Sequence, residues 1–259
     1  NGEFTEAGTT AGSAAILLLD INPAYFMTLF STFPDKNYRE TTRALARKAL
    51  EKFAHPAFLV AASHTETDAE ELLHGFEDVI GSHVNVYGGM AGDDFQFADQ
   101  FVFSNGQSSS RGIVVLVLDE ERLDIQGIAT CGWKPMGTEK TVTKSEGNRV
   151  YLIEGLSPLE MTKKYSGLEN LNKDNPNIGI EIATSFPLQL QREKGDPVMR
   201  PGLVVNWEDG SFLCSGSVPQ GSKIRFSLPP DFDVIEKVIN GCKALKAKSM
   251  PEADALVVF

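Results

Sequence analysis

The sequence predicts a mixed α/β protein made of two related sheet-plus-helix halves, with mixed β-sheets flanked by helices in a sandwich-like arrangement. Residues 13–87 alternate continuous apolar runs with amphipathic helical segments, a pattern typical of a βαβ unit with a largely buried sheet. From residue 100 onward, short strand-like runs alternate with tight turns. The composition, 42% hydrophobic and 23% charged over 259 residues, is that of a globular chain with room for two domains.

The amino-terminal part contains two amphipathic helices between apolar strands. A helix over 37–53 ends before His55-Pro56, because the residue before a proline disfavours the α region. A second helix begins at Thr67 and Glu70, which have the spacing of a capping box, and we expect Leu73 on its inner face. The strands predicted up to residue 153 are 13–20, 57–63, 84–87, 100–104, 112–118, 122–131, 140–144 and 149–153.

The remainder predicts a short helix, a linker and mostly strands. Ser157 is a helix N-cap and Pro158 the first helical residue. Residues 166–177 are rich in Gly, Asn, Asp and Pro, so the predicted domains are 1–165 and 166–259. A last helix covers about 231–248, and hairpin turns are expected at Asn105-Gly106 and Asp209-Gly210. The other predicted strands are 178–184, 188–191, 203–207, 212–217, 223–227 and 253–259.

Charge and composition exclude several classes of partner. The formal charge of −11 argues against nucleic acid as the main partner. The one basic concentration recurs at helical spacing and indicates a solvated helix face. It consists of Arg39, Arg43, Arg47, Lys48 and Lys52. The chain has no run of ~18 apolar residues, so we expect no membrane span.

The termini and cysteines indicate a cytoplasmic setting. The start, NGEFTEAG, is too acidic and polar for a signal peptide. Cys131, Cys214 and Cys242 are odd in number and lack CxxC spacing, which fits a reducing compartment. Because Phe259 ends an apolar strand-like run and Asn1 opens directly on a Gly-Glu-Phe segment, we expect the chain to be part of a longer protein.

The stretch VYGGMAGDD, residues 86–94, combines glycines and acids at the end of a predicted strand. Backbone N–H groups of Gly88, Gly89 and Gly92 could receive a ligand carboxylate there, and Asp93 its ammonium group. A crowded turn in which Asp93 caps backbone groups would give the same pattern. No Gly-Lys-Ser/Thr follows, so the segment is not a P-loop. Both interpretations stay open.

Two further groups are candidate ligand contacts. Lys144 and Glu146 are opposite charges that flank a turn: Lys144 could bind a carboxylate and Asn148 could fix its orientation. An exposed hairpin with a weak ion pair explains the same residues. Trp133, at a strand end, could form the wall of a pocket. A core tryptophan with a satisfied N–H is the interpretation favoured for this residue.

No pattern in the sequence predicts an enzyme or a metal site. The chain lacks G-x-S-x-G and H-E-x-x-H, and no catalytic residue is proposed. Cys131 and Cys214 lie in apolar runs and are predicted to be buried. Covalent haem is excluded because Cys-x-x-Cys-His is absent; if haem b binds, His64 at a strand end is the predicted axial ligand.

A resemblance to the FIST family (F-box and intracellular signal transduction) rests on five segments. The first four resemble the N-terminal FIST domain: YGGMAGDD (87–94), FVFSNG (101–106), GWKPMG (132–137) and VTKSEGNRVYLIEG (142–155). The fifth, WEDGSFLCSGSVPQGSKIRF (207–226), resembles the core of the C-terminal FIST domain. Family members usually extend beyond both ends of this chain.

The resemblance implies a sensory, ligand-binding module of signalling proteins. Such modules occur alone or beside histidine-kinase, chemotaxis-receptor or cyclic-di-GMP modules, or in eukaryotes beside an F-box, and amino acids are their suggested ligands. We therefore expect a cytoplasmic, bacterial sensory domain that binds a small molecule and signals to a partner or attached output domain. The alternatives are a haem-based nitric-oxide sensor, a protein-interaction scaffold without a small ligand, and an undetected enzyme.

Overall fold

The computed structural model describes residues 3–5, 8–10, 12, 14–63, 67–93, 100–169, 171–192, 196–248 and 253–258. The chain forms two compact units. Unit 1 is Asn1–Gly127 with Ala244–Phe259, and unit 2 is Ile128–Lys243. Each unit contains β-sheet and helices, so the predicted mixed α/β class is confirmed.

Unit 1 is built on a four-stranded mixed sheet. Its helices are α1 (Tyr38–Leu50) and α2 (Ala69–Ile80). Its strands are β1 (Glu3–Thr5), β2 (Gly8–Thr10), β3 (Phe26–Thr32), β4 (Pro56–Ala62), β5 (Val86–Met90), β6 (Val102–Ser104), β7 (Gln107–Ser109) and β8 (Gly112–Asp119). The sheet order is β3-β8-β4-β5, with β4 and β5 parallel and β8 antiparallel to β3 and β4; β1-β2 and β6-β7 form separate hairpins.

The core of unit 1 lies between this sheet and the two helices. Ile113, Val115 and Val117 alternate along β8 and are fully buried among helix residues such as Phe76. The helices approach closely at Gly75, where a Cβ atom would lie 1.9 Å from the Thr42 hydroxyl oxygen. This contact explains a glycine in the middle of α2, a position it otherwise destabilises.

The arginines of α1 lie on a solvent-accessible helix face, as predicted, and they form ion pairs there. The Asp78 carboxylate of α2 accepts hydrogen bonds from Arg39 Nε at 2.6 Å and Arg43 Nε at 2.7 Å. Arg43 and Arg47 also pair with Glu40. These contacts connect α1 to α2 and leave no need for an anionic partner to explain the arginines.

Unit 2 contains a seven-stranded sheet in which all neighbours are antiparallel. Its helices are α3 (Pro158–Tyr165), α4 (Ile178–Ser185) and α5 (Asp233–Lys248), of which the last turn belongs to unit 1. Its strands are β9 (Lys134–Glu146), β10 (Arg149–Ile153), β11 (Leu188–Leu190), β12 (Val198–Arg200), β13 (Gly202–Val205), β14 (Phe212–Cys214) and β15 (Lys223–Leu228). The order is β12-β11-β15-β9-β10-β14-β13.

The core of unit 2 joins this sheet to α3 and α4. Val142, Phe212 and Ile224 from the sheet pack with Met161 of α3 and Ile182 of α4. The predicted domain boundary at 165/166 lies inside unit 2, and strands from both sides of it share the sheet. As a division into two family domains, 1–165 and 166–259, the boundary stays a prediction.

Local signals predicted several elements correctly. Ser157 and Glu160 form the reciprocal capping box of α3. Asn105 and Gly106 both have positive φ in the β6-β7 turn, as a type I′ hairpin requires. The N-cap predicted at Thr67 is wrong by one residue. Asp68 is the N-cap of α2, and the Thr67 hydroxyl donates a hydrogen bond to the Ser63 carbonyl.

Four predicted strands are wrong. Residues 14–20, 123–131 and 253–258 have no regular secondary structure and lie mostly exposed, so their apolar runs are not paired in a sheet. The predicted strand 178–184 is helix α4. Its alternating isoleucines suggested a strand, but Ile178 and Ile182, one helical turn apart, are the residues that enter the core. Leu73, expected on the inner face of α2, is 42% exposed.

Candidate ligand-binding site

Gly88 and Gly89 lie inside strand β5, and Gly88 is explained by packing. Gly88 has φ +146°, a backbone conformation essentially restricted to glycine. A Cβ atom there would lie 1.9 Å from the carbonyl oxygen of Val60, its partner on the parallel strand β4. The first of the two glycines therefore has a structural cause, and its part in ligand binding stays a prediction.

Gly92 and Asp93 follow β5 at the carboxyl ends of two parallel strands. The ladder closes with the Ala91 N–H donating to the Ala62 carbonyl at 2.8 Å, so β4 and β5 end together, as expected for a ligand-binding edge. Gly92 is exposed. Asp93 is half-buried and takes part in an interaction within the chain. Asp94 and His64 lie outside the described residues.

Lys144, Glu146 and Asn148 belong to the β9-β10 hairpin. Lys144 and Glu146 are exposed, and Lys144 Nζ lies 5.0 Å from the centre of the Tyr151 ring. Asn148 holds the hairpin to β14: its Nδ2 donates to the Cys214 carbonyl at 3.1 Å, and its own carbonyl accepts from the Cys214 N–H at 2.8 Å. Asn148 thus has a structural role, while carboxylate binding by Lys144 stays a prediction.

Trp133 precedes β9 and is half-buried rather than a full core residue. Its carbonyl accepts a hydrogen bond from Gln189 Nε2 at 3.4 Å. Its indole Nε1 is buried and has no hydrogen-bond partner among the described residues, which differs from the expected satisfied N–H. Trp133 and Lys144 lie near opposite ends of β9, roughly 36 Å apart at about 3.3 Å per residue, so one small ligand would not contact both.

A cavity in unit 2 lies where β9 leaves its register with β15. Met136 pairs with Phe226 and Lys140 with Ile224, so three residues of β9 face one residue of β15. Gly137 in this bulge has φ +69°. The resulting space has a volume of about 320 Å³. It is lined by Met136, Gly137, Thr138, Lys140, Tyr165 and Phe226.

The cavity combines apolar walls with one ion pair at its edge. Phe226 is buried and stacks on Phe186 with ring centres 4.4 Å apart, which fixes the apolar wall. Lys140, whose side chain is 15% exposed, places Nζ 3.1 Å from Glu154 Oε2 and 5.3 Å from the centre of the Tyr165 ring. A cation, an acid and an aromatic face beside apolar walls are suited to a small organic anion or zwitterion.

Sequence reasoning missed Lys140, Tyr165 and Phe226 as candidate site residues. They lie on β9, α3 and β15, and only the register of the sheet and the placement of α3 bring them together. The strand was predicted to begin only at residue 140, whereas β9 begins at Lys134 and so includes Gly137. A glycine inside a strand often marks a bulge.

The cysteines of the described residues differ in burial. Cys214 is buried as predicted, and burial raises the pKa of its thiol to about 12. Cys131 is exposed, because the strand predicted over 122–131 does not form. Within the described part of the chain, no group of three or more His, Cys, Asp or Glu residues could hold a metal ion.

No helix in the described part of the chain has both the length and the apolar character that crossing a membrane requires. 

Comparison with known families places this fold among signalling modules. The FIST N domain family matches residues 1–156, more than half of the chain, and the protein belongs to this family. The FIST domain is a sensory module of signal transduction. No curated protein and no solved structure matches the chain. The resemblance of residues 207–226 to the C-terminal FIST domain stays a prediction.

Proposed function

We propose that the protein is a cytoplasmic, bacterial sensory module that binds a small ligand, with amino acids as the candidate class, and signals to a partner or attached output domain. Membership of a sensory family supports the general role. The single observation that carries ligand binding is the cavity beside Lys140. Its volume of about 320 Å³ lies at the lower end of the range of small-molecule sites, about 300–1,000 Å³.

The cavity offers a partner for each part of an amino acid. Lys140 supplies a cation for the carboxylate, and Glu154, its ion-pair partner, an anion for the ammonium group. Met136 and Phe226 provide apolar surface for the side chain of the ligand. Lys140 and Glu154 already form an ion pair with each other. A zwitterion inserted between them would replace this ion pair with two, one to each residue, and would leave neither charge unpaired.

Signalling would follow from the elements that the ligand joins. The cavity is formed by β9 and β15 together with Tyr165, the last residue of α3. A ligand that binds one arrangement of these elements more tightly shifts the population towards it. The output would be a partner or attached module such as a histidine kinase, a chemotaxis protein or a cyclic-di-GMP enzyme.

The residues predicted from the sequence remain alternative candidate contacts for the ligand. They form two groups, the β5 loop and the β9-β10 hairpin, with Trp133 at the far end of β9. The residues are Gly88, Gly89, Gly92, Asp93, Trp133, Lys144, Glu146 and Asn148. Binding at Lys144 and binding at Lys140 are different predictions, because the first residue is exposed and the second lies at the cavity.

A protein-interaction scaffold without a small ligand is the second candidate. Several large apolar side chains are exposed, and exposed apolar surface often marks protein interaction sites. Examples are Ile16 at 82%, Leu18 at 87%, Phe103 at 78% and Phe232 at 90% exposure. The haem-based alternative depends on His64, outside the described residues, and an absorption spectrum of the purified protein tests it by the presence of a Soret band.

A thermal-shift screen against the amino acids tests the proposed function. A ligand at 100 times its Kd should raise the free energy of unfolding by about 2.7 kcal/mol, which corresponds to several degrees in Tm. We expect Lys140→Gln to abolish the shift, because Lys140 lies at the cavity. Lys144→Gln is the matched control: it removes one positive charge from the same strand and should retain the shift. Loss in Lys144→Gln alone would move the site to the hairpin, loss in Asp93→Ala alone would move it to the β5 loop, and no shift with any amino acid would favour the scaffold.

A further inference from the structure

One face of the seven-stranded sheet gathers polar groups that the proposed ligand site does not use. Arg225 and Ser227 are two residues apart on β15 and therefore share a face. Gln189 of β11 pairs directly with Arg225, and Pro135 of β9 pairs with Ser227. Trp133, two residues before Pro135, is the diagonal neighbour of Ser227, a relation that places side chains about 7 Å apart. The Gln189–Trp133 hydrogen bond joins the two outer strands across β15.

Two buried hydrogen-bonding groups in this cluster have no partner. Trp133 Nε1 and Ser227 Oγ are the buried side-chain nitrogen and oxygen atoms without a hydrogen bond among the described residues, and Ser227 is fully buried. Buried polar groups in folded proteins are nearly always hydrogen-bonded, and an unpaired one lowers stability. Two such atoms at neighbouring positions indicate that a shared partner is missing.

Arg225 adds an uncompensated positive charge to the same place. It is half-buried, and within the described part of the chain its guanidinium group forms no ion pair or hydrogen bond. An indole N–H and a guanidinium group can only donate hydrogen bonds, and a serine hydroxyl can donate one as well. A partner for all three must therefore accept hydrogen bonds and carry negative charge.

We propose that Trp133, Arg225 and Ser227 bind a compact oxyanion, either a carboxylate or a phosphate group. Planar arginine and neutral N–H and O–H donors are the usual ligands of both anions. The site lies on the face of β15 opposite to Phe226, which lines the cavity, and so it does not depend on the proposed function. Gln189 is a positioning residue, because its amide holds the main chain at Trp133.

The indole N–H resonances of the protein provide a direct test. The chain has two tryptophans, and Trp207→Phe assigns the remaining indole signal to Trp133 in a ¹H–¹⁵N spectrum of the whole protein. Titrations with sodium phosphate and with sodium acetate are compared with sodium chloride at equal ionic strength. We expect one of the two anions to move the Trp133 signal saturably and leave Trp207 in place. A response to phosphate alone identifies a phosphoryl ligand, and a response to acetate alone a carboxylate.

Variants decide whether the response belongs to this cluster. We expect Arg225→Gln to weaken the apparent affinity at least 10-fold and Ser227→Ala to weaken it several-fold. Arg122→Gln, which removes the same charge in unit 1, should leave it unchanged. The proposal is overturned if neither anion moves the Trp133 signal, or if Arg225→Gln and Arg122→Gln respond alike. Loss of amino-acid binding in Lys140→Gln with an intact anion response would separate this site from the cavity.

Discussion

Gly88 lies so close to Val60 on the neighbouring parallel strand that a Cβ atom would be 1.9 Å from the Val60 carbonyl oxygen. The φ of +146° at Gly88 is a second constraint, because residues other than glycine rarely adopt this backbone angle. The double glycine that stood out in the sequence is therefore, at its first position, a requirement of the β4-β5 pairing. The ligand contacts proposed at this edge therefore depend on Gly89, Gly92 and Asp93.

Replacing this glycine should strongly destabilise unit 1. We expect Gly88→Ala to lower the free energy of unfolding by about 3 kcal/mol or more, because backbone strain and a steric clash add. Gly106→Ala is the control: it also replaces a glycine of positive φ, but nothing lies within 4 Å of its Cβ position. Its cost should be only about 1 kcal/mol. Urea unfolding compares the two, and equal costs would contradict the packing explanation.

The Asp78 ion pairs should make unit 1 sensitive to acid. Hydrogen bonds and charge from Arg39, and then from Arg43, hold the pKa of the Asp78 carboxyl well below its usual range. A depressed pKa stabilises the fold above the unfolded value of about 4, and this contribution is lost as the pH falls below it.

We expect Asp78→Asn to unfold at a lower urea concentration than the wild type at pH 7. Between about pH 5 and pH 2, where carboxyl groups become protonated, Asp78→Asn should lose less stability than the wild type. Glu51→Gln removes one exposed carboxylate from the end of α1 and should keep the wild-type acid dependence. Parallel pH profiles for the wild type and Asp78→Asn would show that the pairs contribute nothing.

The capping box of α3 should contribute measurably to unit 2. The Ser157 side chain accepts a hydrogen bond from the Glu160 N–H at 3.2 Å, and Glu160 accepts one from the Ser157 N–H at 2.9 Å. We expect Ser157→Ala to lower the free energy of unfolding by about 1 kcal/mol. Asn177→Ala, at the start of α4, should change it little, because Asn177 makes no side-chain capping bond. A larger loss for Asn177→Ala would contradict the assignment.

The cysteines should differ in reactivity. Cys131 and Cys242 are exposed, whereas Cys214 is buried and burial raises the pKa of its thiol to about 12. Because the thiolate is the reactive form, we expect a thiol reagent at pH 8 to modify two cysteines rapidly and the third only in denaturant. Mass spectrometry of Cys214→Ala checks the assignment, since rapid labelling should still reach two sites. Three equally fast thiols in the native wild type would contradict the burial of Cys214.

Much of the fold could be predicted where a few neighbouring residues decide the structure. The helix over 37–53, the Ser157 cap and the Asn105-Gly106 hairpin depend on contacts within about four residues, and all three formed as expected. The candidate site could not be predicted in this way. Lys140, Tyr165 and Phe226 meet only through sheet register and the placement of α3, and a register is invisible in a single chain segment.

By itself, the sequence determined the mixed α/β class, the family resemblance and the local caps and turns, because these follow from residue periodicity and short-range hydrogen bonds. Tertiary structure decided which apolar runs became strands. Residues 178–185 are helical, with Gly179 so close to the Leu203 carbonyl that a Cβ atom would lie 2.4 Å from it, a contact that no local pattern encodes. It also decided where donors are left unpaired, since burial of Trp133 and Ser227 depends on strands that are distant in sequence.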